Sequence, residues 1–587
     1  MLNARKTILS IFAFCAISVN TAKANTIEVQ NNTDSSVGSL RQAVIDANDG
    51  DTIRFNSSLI ASGSNTINLT SEIAFSKNLV FKGLYNSTDT LYISGNNTNR
   101  IFNITNTVKT VIDSMVFING YTNTSNGGAL SFSLSDTVSV LNSKISNSTA
   151  QNNGGGIFYS SSSTSSGFLK IRNCIINNNS TLTYAGGGIS YSSSNDNNSL
   201  IIEKSTLKNN SAVHSGGAIS AGTYNTIGSL SIDSSEIYNN TTQGSGAGIS
   251  IASNQSSFYS TINNSTINDN TASTIGGGIY ANAKETSSIV INNTTVNNNT
   301  ANIAGGISSG QIAYANTQSF VEIINSTVSN NYATDNIGGI RSMAAASANF
   351  TATNSTVYNN SVATTFNKTE GVYLMGLNSL SVECTSSIIW SPGLSGGGIN
   401  IKRLTTDASS SLVDSPDPIT SGGYNVFSDA PNGATATGDL TSVTETQLNL
   451  QPLANNGGYN LTMKPGVGSV AINAGNPNDF SDAQNGPIAG VRDIGAAESG
   501  SINTSVNENN LSSQISIYPN PVKNLLFIEL DNQKVTEITI IDYSGRVVKT
   551  ITNNTTKSID VSDLIKGIYI LKIATKNGVL TNRFIKQ

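Results

Sequence analysis

Two short motifs recur together along the middle of the chain at a nearly constant spacing. In one copy, Ile262–Asn270 reads INNSTINDN and is followed by a glycine cluster and Ile279. The unit that closes the first motif begins with an aliphatic residue, which in successive copies is Val116, Ile145, Ile176, Leu207, Ile237, Ile267, Val296, Val328 and Val357. An aliphatic residue also follows each glycine cluster, at Leu130, Ile157, Ile189, Ile219, Ile249, Ile279, Ile307 and Ile340. Successive copies of the first motif lie 29 to 32 residues apart, and a fixed period of this size predicts a repeat architecture.

Apolar and polar residues alternate just before each copy of the first motif. A second apolar position lies five residues earlier, at Val111, Val140, Ile171, Ile202, Ile232, Ile262, Ile291, Ile323 and, as the weakest member, Ala352. Alternation with a period of two is typical of a β-strand that buries one face. A period near 30 residues with three such strands is too short for a propeller blade. We therefore predict an all-β fold, a right-handed single-stranded parallel β-helix in which each strand pairs with its equivalent in the next coil.

A column of asparagines closes the first motif in nearly every copy. Its members are Asn119, Asn179, Asn210, Asn240, Asn270, Asn299, Asn331 and Asn360, and Ser148 is the one departure. Stacked asparagines can hydrogen-bond along a column, and asparagine tolerates the left-handed backbone of a tight turn. The glycine clusters are expected to form corners between strands, because glycine permits a positive φ. No helix pattern or Lys-Ser/Thr pair follows them, which argues against a phosphate-binding loop.

The N-terminus has the pattern of an export signal. Arg5 and Lys6 precede an apolar run from Ile8 to Val19, and Ala22-Lys23-Ala24 is an A-x-A cleavage site. This pattern predicts cleavage between Ala24 and Asn25. No later segment is apolar enough to span a membrane, and the net charge of −5 with no basic stripe argues against a nucleic-acid partner.

Composition and pattern divide the chain into six segments. We expect a signal peptide at 1–24, an N-terminal cap at 25–50, β-helix repeats at 51–425, a closing segment at 426–500, a linker at 501–513 and a small antiparallel β-sandwich at 514–587. The cap contains the capping-box pattern Ser39 to Gln42, which predicts the start of a short helix over the first coil. Cys174 and Cys384 lie about seven coils apart, more than roughly 30 Å, so we expect two buried thiols and no disulfide.

Several stretches outside the repeats resemble a known family of β-helix proteins. They are Gly38–Val44 (GSLRQAV), Asp51–Phe55 (DTIRF), Pro452–Gly458 (PLANNGG), Val470–Asn476 (VAINAGN) and Asp493–Glu498 (DIGAAE). Together they resemble the "choice-of-anchor Q" proteins over about residues 25–500, and the repeats are similar to those of polymorphic outer-membrane proteins. The resemblance implies a right-handed β-helix and specifies no activity.

The C-terminal segment resembles a second family. Its motifs are Tyr518-Pro519-Asn520-Pro521, Asp542–Arg546 (DYSGR), Gly567-Ile568-Tyr569 and Arg583–Lys586 (RFIK). These residues are similar to the type A C-terminal sorting domain of the type IX secretion system. The resemblance implies the type IX secretion machinery as a partner, passage through the periplasm, and a secreted or cell-surface location.

One charged cluster in the repeats could support catalysis. Aligning the repeats places Arg172, Glu203 and Asp233 in one outward column, near Lys204, Lys208 and Glu236. Calcium-dependent polysaccharide lyases with a β-helix combine acidic ligands with a basic proton abstractor. The alternative interpretation is an exposed cross-strand ion pair with a structural role.

The closing segment contains a second set of carboxylates. Asp479, Asp482 and Asp493, with Glu498, could supply oxygen ligands for calcium, but their spacing matches no calcium loop, and turn or cap roles are the alternative. We expect no other cofactor. His214 is the single histidine, so a site with several histidine ligands is excluded.

These observations lead to one predicted function and two alternatives. We predict a non-catalytic, adhesin-like surface or secreted protein that binds glycans or other surface polysaccharides along its polar flank. The first alternative is a polysaccharide lyase or glycoside hydrolase that acts in a groove along the β-helix, and the second is a structural surface protein.

Overall fold

The computed structural model describes residues 24–586 apart from short gaps. The gaps are residues 62–64, 87–89, 162–166, 195–197, 364–367, 392–398, 407–410, 416, 459, 480–490, 500–514, 519–521, 531–534, 543–546, 553–557 and 576–577. The predicted signal peptide up to residue 23, the linker at 501–513 and the candidate ligand Asp482 lie outside the described residues. The chain forms two compact units, Met1–Ile502 and Asn503–Gln587.

The first unit is a right-handed parallel β-helix of about 12 turns, as the sequence predicts. Its strands run in the order A, B, D, C around each of the nine coils of the described chain that have a sheet D strand, and strands of the same letter pair in parallel from coil to coil. Sheet A consists of Thr26–Val29, Thr52–Phe55, Leu79–Lys82, Thr110–Asp113, Val138–Leu141, Phe168–Arg172, Ser199–Glu203, Gly228–Asp233, Phe258–Asn263, Thr286–Asn292, Gln318–Ile324, Ser347–Thr353, Ser379–Thr385 and Thr420–Gly423. Sheet B consists of Thr66–Asn68, Tyr92–Ser94, Val116–Ile118, Lys144–Ser146, Ile175–Asn177, Thr206–Lys208, Glu236–Tyr238, Thr266–Asn268, Thr295–Asn297, Thr327–Ser329, Thr356–Tyr358, Ile388–Trp390 and Val426–Phe427.

The other two sheets complete the coil. Sheet C consists of Ile73–Phe75, Phe102–Thr105, Leu130–Ser135, Ile157–Ser161, Ile189–Ser193, Ile219–Tyr224, Ile249–Asn254, Ile279–Ala283, Ile307–Gln311, Ile340–Ala344, Thr369–Gly376, Ile399–Thr406 and the antiparallel Leu412–Asp414. Sheet D consists of Tyr121–Thr122, Thr149–Ala150, Ser180–Thr181, Ser211–Ala212, Thr241–Thr242, Thr271–Ala272, Thr300–Ile303, Tyr332–Asn336 and Ser361–Val362. The expectation of three strands per coil missed sheet D, because most of its strands have two residues and show no alternation.

The interior of the β-helix is filled by aliphatic side chains stacked in columns. Ile145, Ile176 and Leu207 occupy one column from sheet B, and each is fully buried. The glycine clusters turn the chain from sheet D into sheet C. At Gly276, φ is +69°, and a Cβ atom there would lie 2.4 Å from the carbonyl oxygen of Ile279, so a larger residue would distort this corner.

The asparagines from Asn179 to Asn360 form a continuous buried ladder. The Oδ1 atom of each accepts a hydrogen bond from the backbone N–H of the equivalent residue one coil earlier, at 2.9–3.1 Å. The Nδ2 group of Asn270 also donates to Asn299 Oδ1 at 2.9 Å and to the Ile237 carbonyl at 3.0 Å. The ladder therefore satisfies backbone groups that would otherwise be buried without a partner.

Two expectations about this column are wrong. Asn119 is not a member, because Phe117, not Val116, aligns with Ile145, and Gly120 takes the ladder position and donates its N–H to Ser148 Oγ. The spacing from Phe117 to Ile145 is therefore one residue shorter than the spacing from Val116 to Ile145 on which the expectation is based. The left-handed backbone also falls one residue before the ladder, at Asn119, Asn147, Asn178, Asn209, Asn239, Asp269, Asn298, Asn330 and Asn359.

A second ladder, of hydroxyl groups, runs between sheets A and B. Ser205 Oγ accepts from the backbone N–H of Cys174, and Ser235 and Ser265 continue the series. Cys174 thus occupies a position that holds serine in the neighbouring coils, and its Sγ lies 3.2 Å from the Arg172 carbonyl. Cys174 and Cys384 are both buried free thiols.

Non-repeating segments lie at the two ends of the β-helix. The helix Leu40–Asp46 begins at the N-cap Ser39, whose side chain accepts from the Gln42 N–H, and a short helix follows at Ser58–Ala61. Near the other end, a third helix, Glu445–Leu448, leads into a segment that returns along sheet B. In this returning segment, the Leu461 carbonyl accepts from Thr295 Oγ1, and the Gly495 N–H donates to the Ser386 carbonyl.

The second unit contains two small antiparallel sheets. One consists of Ile515–Tyr518, Leu525–Leu530 and Ser558–Asp560. The other consists of Val535–Asp542, Val547–Thr552, Gly567–Thr575 and Gly578–Lys586. Leu526, Ile540, Leu571 and Phe584 from both sheets share one core, which gives the expected antiparallel β-sandwich.

The asparagine ladder leads to a stability prediction. Asn270→Ala removes the Oδ1 acceptor of the Asn240 N–H and the donor to the Ile237 carbonyl, and leaves both backbone groups buried. We expect the free energy of unfolding to fall by about 3 kcal/mol, measured by urea unfolding. The matched control is Asn263→Ala, whose partly exposed side chain lies outside the ladder, and it should cost less than about 0.5 kcal/mol. Equal losses in the two variants would contradict this role.

The buried thiols lead to a prediction about reactivity. Burial raises the pKa of Cys174 and of Cys384 to about 12, so almost no thiolate forms at pH 8. In protein that begins at Asn25, iodoacetamide should label neither thiol in the native state and both in 6 M guanidinium, as read by mass spectrometry. Rapid labelling of either native thiol would contradict the structure.

Candidate functional site

The charged column predicted from the sequence is present on sheet A. Strand register pairs Arg172 with Glu203, and Glu203 with Asp233. Glu203 forms an ion pair with Lys170, whose Nζ lies 2.9 Å from the carboxylate, and a longer one with Arg172, whose Nε lies 3.7 Å away. Asp233 accepts hydrogen bonds from Ser234 Oγ and Asn264 Nδ2, each at 2.9 Å. Each carboxylate therefore already has polar partners within the β-helix, which favours the structural interpretation of this column.

The carboxylates of the closing segment are also engaged by the protein. Asp479 accepts a hydrogen bond from Asn354 Nδ2 at 2.5 Å. Asp493 is buried and accepts the backbone N–H groups of Asn473 and Ser499. Among the described residues, no group of three or more His, Cys, Asp or Glu side chains is arranged to hold a metal ion.

His214 and the two residues at the predicted cleavage site lie at the surface. His214 is exposed in a turn, and its Nδ1 lies 3.5 Å from Ser215 Oγ. At the predicted cleavage site, Ala24 is exposed, and the backbone N–H of Asn25 donates to Asp51 Oδ1 at 2.7 Å.

A cleft that the sequence did not predict lies at the corner where sheet C passes into sheet A. Its volume is about 340 Å³, and we call it the tyrosine cleft after its two exposed rings; it is lined by Ser192, Gly222, Thr223, Tyr224, Ala252, Ser253, Asn254, Asn282, Lys284, Gln311 and Tyr314. Tyr224 is 54% exposed and Tyr314 is 43% exposed. Exposed aromatic rings beside several amide groups are characteristic of binding surfaces, because the rings offer apolar area and the amides offer directed hydrogen bonds.

The floor of the tyrosine cleft is low because two adjacent coils have small outward residues. Strand register aligns Ser192, Gly222, Ala252 and Asn282 in one outward column. At Gly222, a Cβ atom would lie only 3.1 Å from the Ala252 carbonyl oxygen. Gly222 has no side chain and Ala252 has only a methyl group, so a depression lies between Ser192 and Asn282 in this column.

One wall of the tyrosine cleft is built by a longer connection. Six residues, 312–317, join Ile307–Gln311 to Gln318–Ile324, whereas two residues join the equivalent strands of the preceding coil. Tyr314 lies in this connection, and Lys284 Nζ is 4.8 Å from the centre of its ring, which is a cation–π contact. The longest repeat spacing, from Val296 to Val328, marks this insertion in the sequence.

A second cleft, of about 310 Å³, lies where the returning segment crosses sheet B. Its lining includes Glu236, Tyr238, Asn268, Asn455 and Asn460. The ring of Tyr238 lies 5.5 Å from Lys208 Nζ. The tyrosine cleft is the stronger candidate for binding, because two exposed aromatic rings line it.

Comparison with known proteins identifies the C-terminal unit. Residues 516–587 match the family described as "Secretion system C-terminal sorting domain". The protein is therefore exported, either secreted or displayed on the cell surface, and the type IX secretion machinery is a partner of this domain. Among the described residues, no helix is long and apolar enough to cross a membrane.

Comparison of the whole chain with other proteins adds little. No curated protein matches the chain. Among solved structures, the chain is similar to the crystal structure of pectate lyase Pel9A, with 13% identity, a TM-score of 0.28, and coverage of 81% of this chain and 97% of that chain. A likeness at this level carries no information about activity.

The charged column gives a prediction that tests its structural role. Glu203→Gln removes both ion pairs, and because these groups are partly exposed, the free energy of unfolding should fall by no more than about 1 kcal/mol. Urea unfolding at low and high salt should show a smaller loss at high salt. The control is Glu236→Gln, an exposed glutamate without an ion pair among the described residues. A loss of about 3 kcal/mol or more would contradict the assignment.

Proposed function

We propose that this exported protein is a non-catalytic glycan-binding protein and that the tyrosine cleft is its binding site. The observation that carries the proposal is the pair of exposed rings, Tyr224 and Tyr314, on either side of a depression rimmed by Asn254, Asn282 and Gln311. A sugar ring has an apolar face and a rim of hydroxyl groups. Tyrosine rings suit the face, and amide side chains donate to and accept from the hydroxyls.

The export of the chain supports this proposal. A secreted or surface-displayed protein meets polysaccharides of its own cell and of its surroundings. The ion-paired state of Glu203 and the hydrogen bonds to Asp233 also favour binding over catalysis at sheet A, since a lyase or hydrolase needs an acid or base free to exchange a proton with its substrate.

The proposal is tested by binding to a glycan array. The wild-type chain should bind one or more glycans, and Tyr224→Ala and Tyr314→Ala should each weaken the same interaction about tenfold, because buried aromatic contacts are typical hot spots. Tyr184→Ala is the matched control, since Tyr184 is 50% exposed and lies outside the tyrosine cleft.

Two outcomes would overturn the proposal. One is the absence of glycan binding by the wild-type chain. The other is binding that Tyr184→Ala weakens as much as the two cleft variants do, because the cleft would then have no special role.

A further inference from the structure

Arg341 on sheet C is a partly buried cation without a carboxylate partner. It lies on Ile340–Ala344, where Nη1 donates to Ser308 Oγ at 3.0 Å and Nε lies 2.7 Å from Met343 Sδ. Among the described residues, Arg41, Arg100 and Arg172 form ion pairs with acids, whereas Arg341 forms none. A guanidinium has five N–H donors, so several of them, including both on Nη2, are not used by the described residues.

Two tyrosines lie in the same column as Arg341. Strand register places Tyr280, Ser308, Arg341 and Tyr373 in one outward column of sheet C. Burial lowers the pKa of the Arg341 guanidinium, and its interaction with the two tyrosines opposes this effect. A partly desolvated cation is stabilised most by a nearby negative charge. The planar guanidinium favours a carboxylate or sulfate group, because such a group can accept two of its hydrogen bonds.

The surface between Arg341 and the tyrosine cleft carries no acid on its strands. The five strands from Ile219–Tyr224 to Ile340–Ala344 contain no aspartate or glutamate. Glu285, beside Lys284, accepts from Ser257 Oγ at 3.3 Å on the sheet A side of the corner. This part of sheet C is therefore positive in a chain whose net charge is −5.

A hydrogen bond links the tyrosine cleft to the column of residues that contains Arg341. Asn282, which lines the cleft, donates through Nδ2 to the hydroxyl of Tyr280 at 2.9 Å, and Tyr280 belongs to the column of Arg341. The strands that hold Asn282 and Arg341 are two rungs apart, which is about 10 Å. A short oligosaccharide spans that distance.

We propose that the ligand of the tyrosine cleft is an acidic glycan, a polymer with carboxylate or sulfate groups, and that Arg341 binds one of these groups. This inference rests on the proposed glycan-binding function and adds its substrate class. The coils of Tyr224 and Tyr314 are three rungs apart, so successive sugar rings of the glycan lie against the two tyrosines. The chain of the glycan crosses the rungs of sheet C, so that one of its acidic groups reaches the guanidinium. Lys284 provides a second positive group beside Tyr314.

The test compares binding to three polymers of known chemistry, polygalacturonate, dextran sulfate and neutral dextran, measured by affinity electrophoresis and interferometry. The wild-type chain should prefer polygalacturonate or dextran sulfate to dextran, and added salt should weaken that binding. Arg341→Gln should lower the affinity about tenfold. The polymer that shows this loss distinguishes a carboxylate ligand from a sulfate ligand.

Matched variants separate a specific contact from net charge. Arg54→Gln makes the same charge change at an exposed position of sheet A and should leave binding unchanged. Arg341→Lys keeps the charge but loses the planar fork, so it should show an intermediate affinity. Thermal unfolding of each variant checks that the β-helix is folded.

The outcomes also separate this inference from the proposed function. If Arg341→Gln binds acidic polymers as tightly as the wild type, or if the wild type prefers neutral dextran, the acidic-glycan inference is wrong. Loss of neutral-glycan binding in Tyr224→Ala and Tyr314→Ala would then still support the cleft. If the two tyrosine variants bind every polymer as the wild type does, the proposed function itself is wrong.

Discussion

The β-helix depends on parallel pairing of each coil with the next in one register, and buried polar ladders fix that register. A strand of three residues, such as Thr266–Asn268, has little to hold its alignment by itself. The asparagine ladder after sheet B and the hydroxyl ladder before it clamp each such strand at both ends. A shift of the strand register by one residue would separate these side chains from the backbone N–H groups that they accept from. Those N–H groups are buried, so water could not replace the lost acceptors.

The same constraint explains what could be predicted from the sequence. The period fixes which residues face inward, so the parallel β-helix and the alignment of Arg172, Glu203 and Asp233 could be predicted from spacing alone. The assignment of Asn119 failed because Val116 and Phe117 are adjacent apolar residues, and either satisfies the pattern. Sheet D was missed because a strand of two residues contains no complete period.

The candidate site could not be predicted in the same way, because its residues depart from the repeat. Tyr224 and Tyr314 come from different coils, and Tyr314 lies in a connection that is longer than the one in the preceding coil. Their proximity follows from the stacking of coils, which brings residues about 90 positions apart in sequence to one corner. The one sign in the sequence is the longer spacing between Val296 and Val328, which shows where an extra loop is inserted but not what it faces.

A regular solenoid makes departures from its pattern informative. The outward column of sheet C holds serine at Ser190, Ser220, Ser250 and Ser308, and Arg341 replaces that small neutral residue in a later coil. An unpaired and partly buried cation lowers stability, since its desolvation is not offset by a carboxylate. Nothing in the packing of sheet C requires a cation at this position, because serine or tyrosine fills it in the neighbouring coils. A bound anion would offset this loss of stability. The physical case for an acidic ligand therefore rests on Arg341, a residue that lowers the stability of the protein when no ligand is bound.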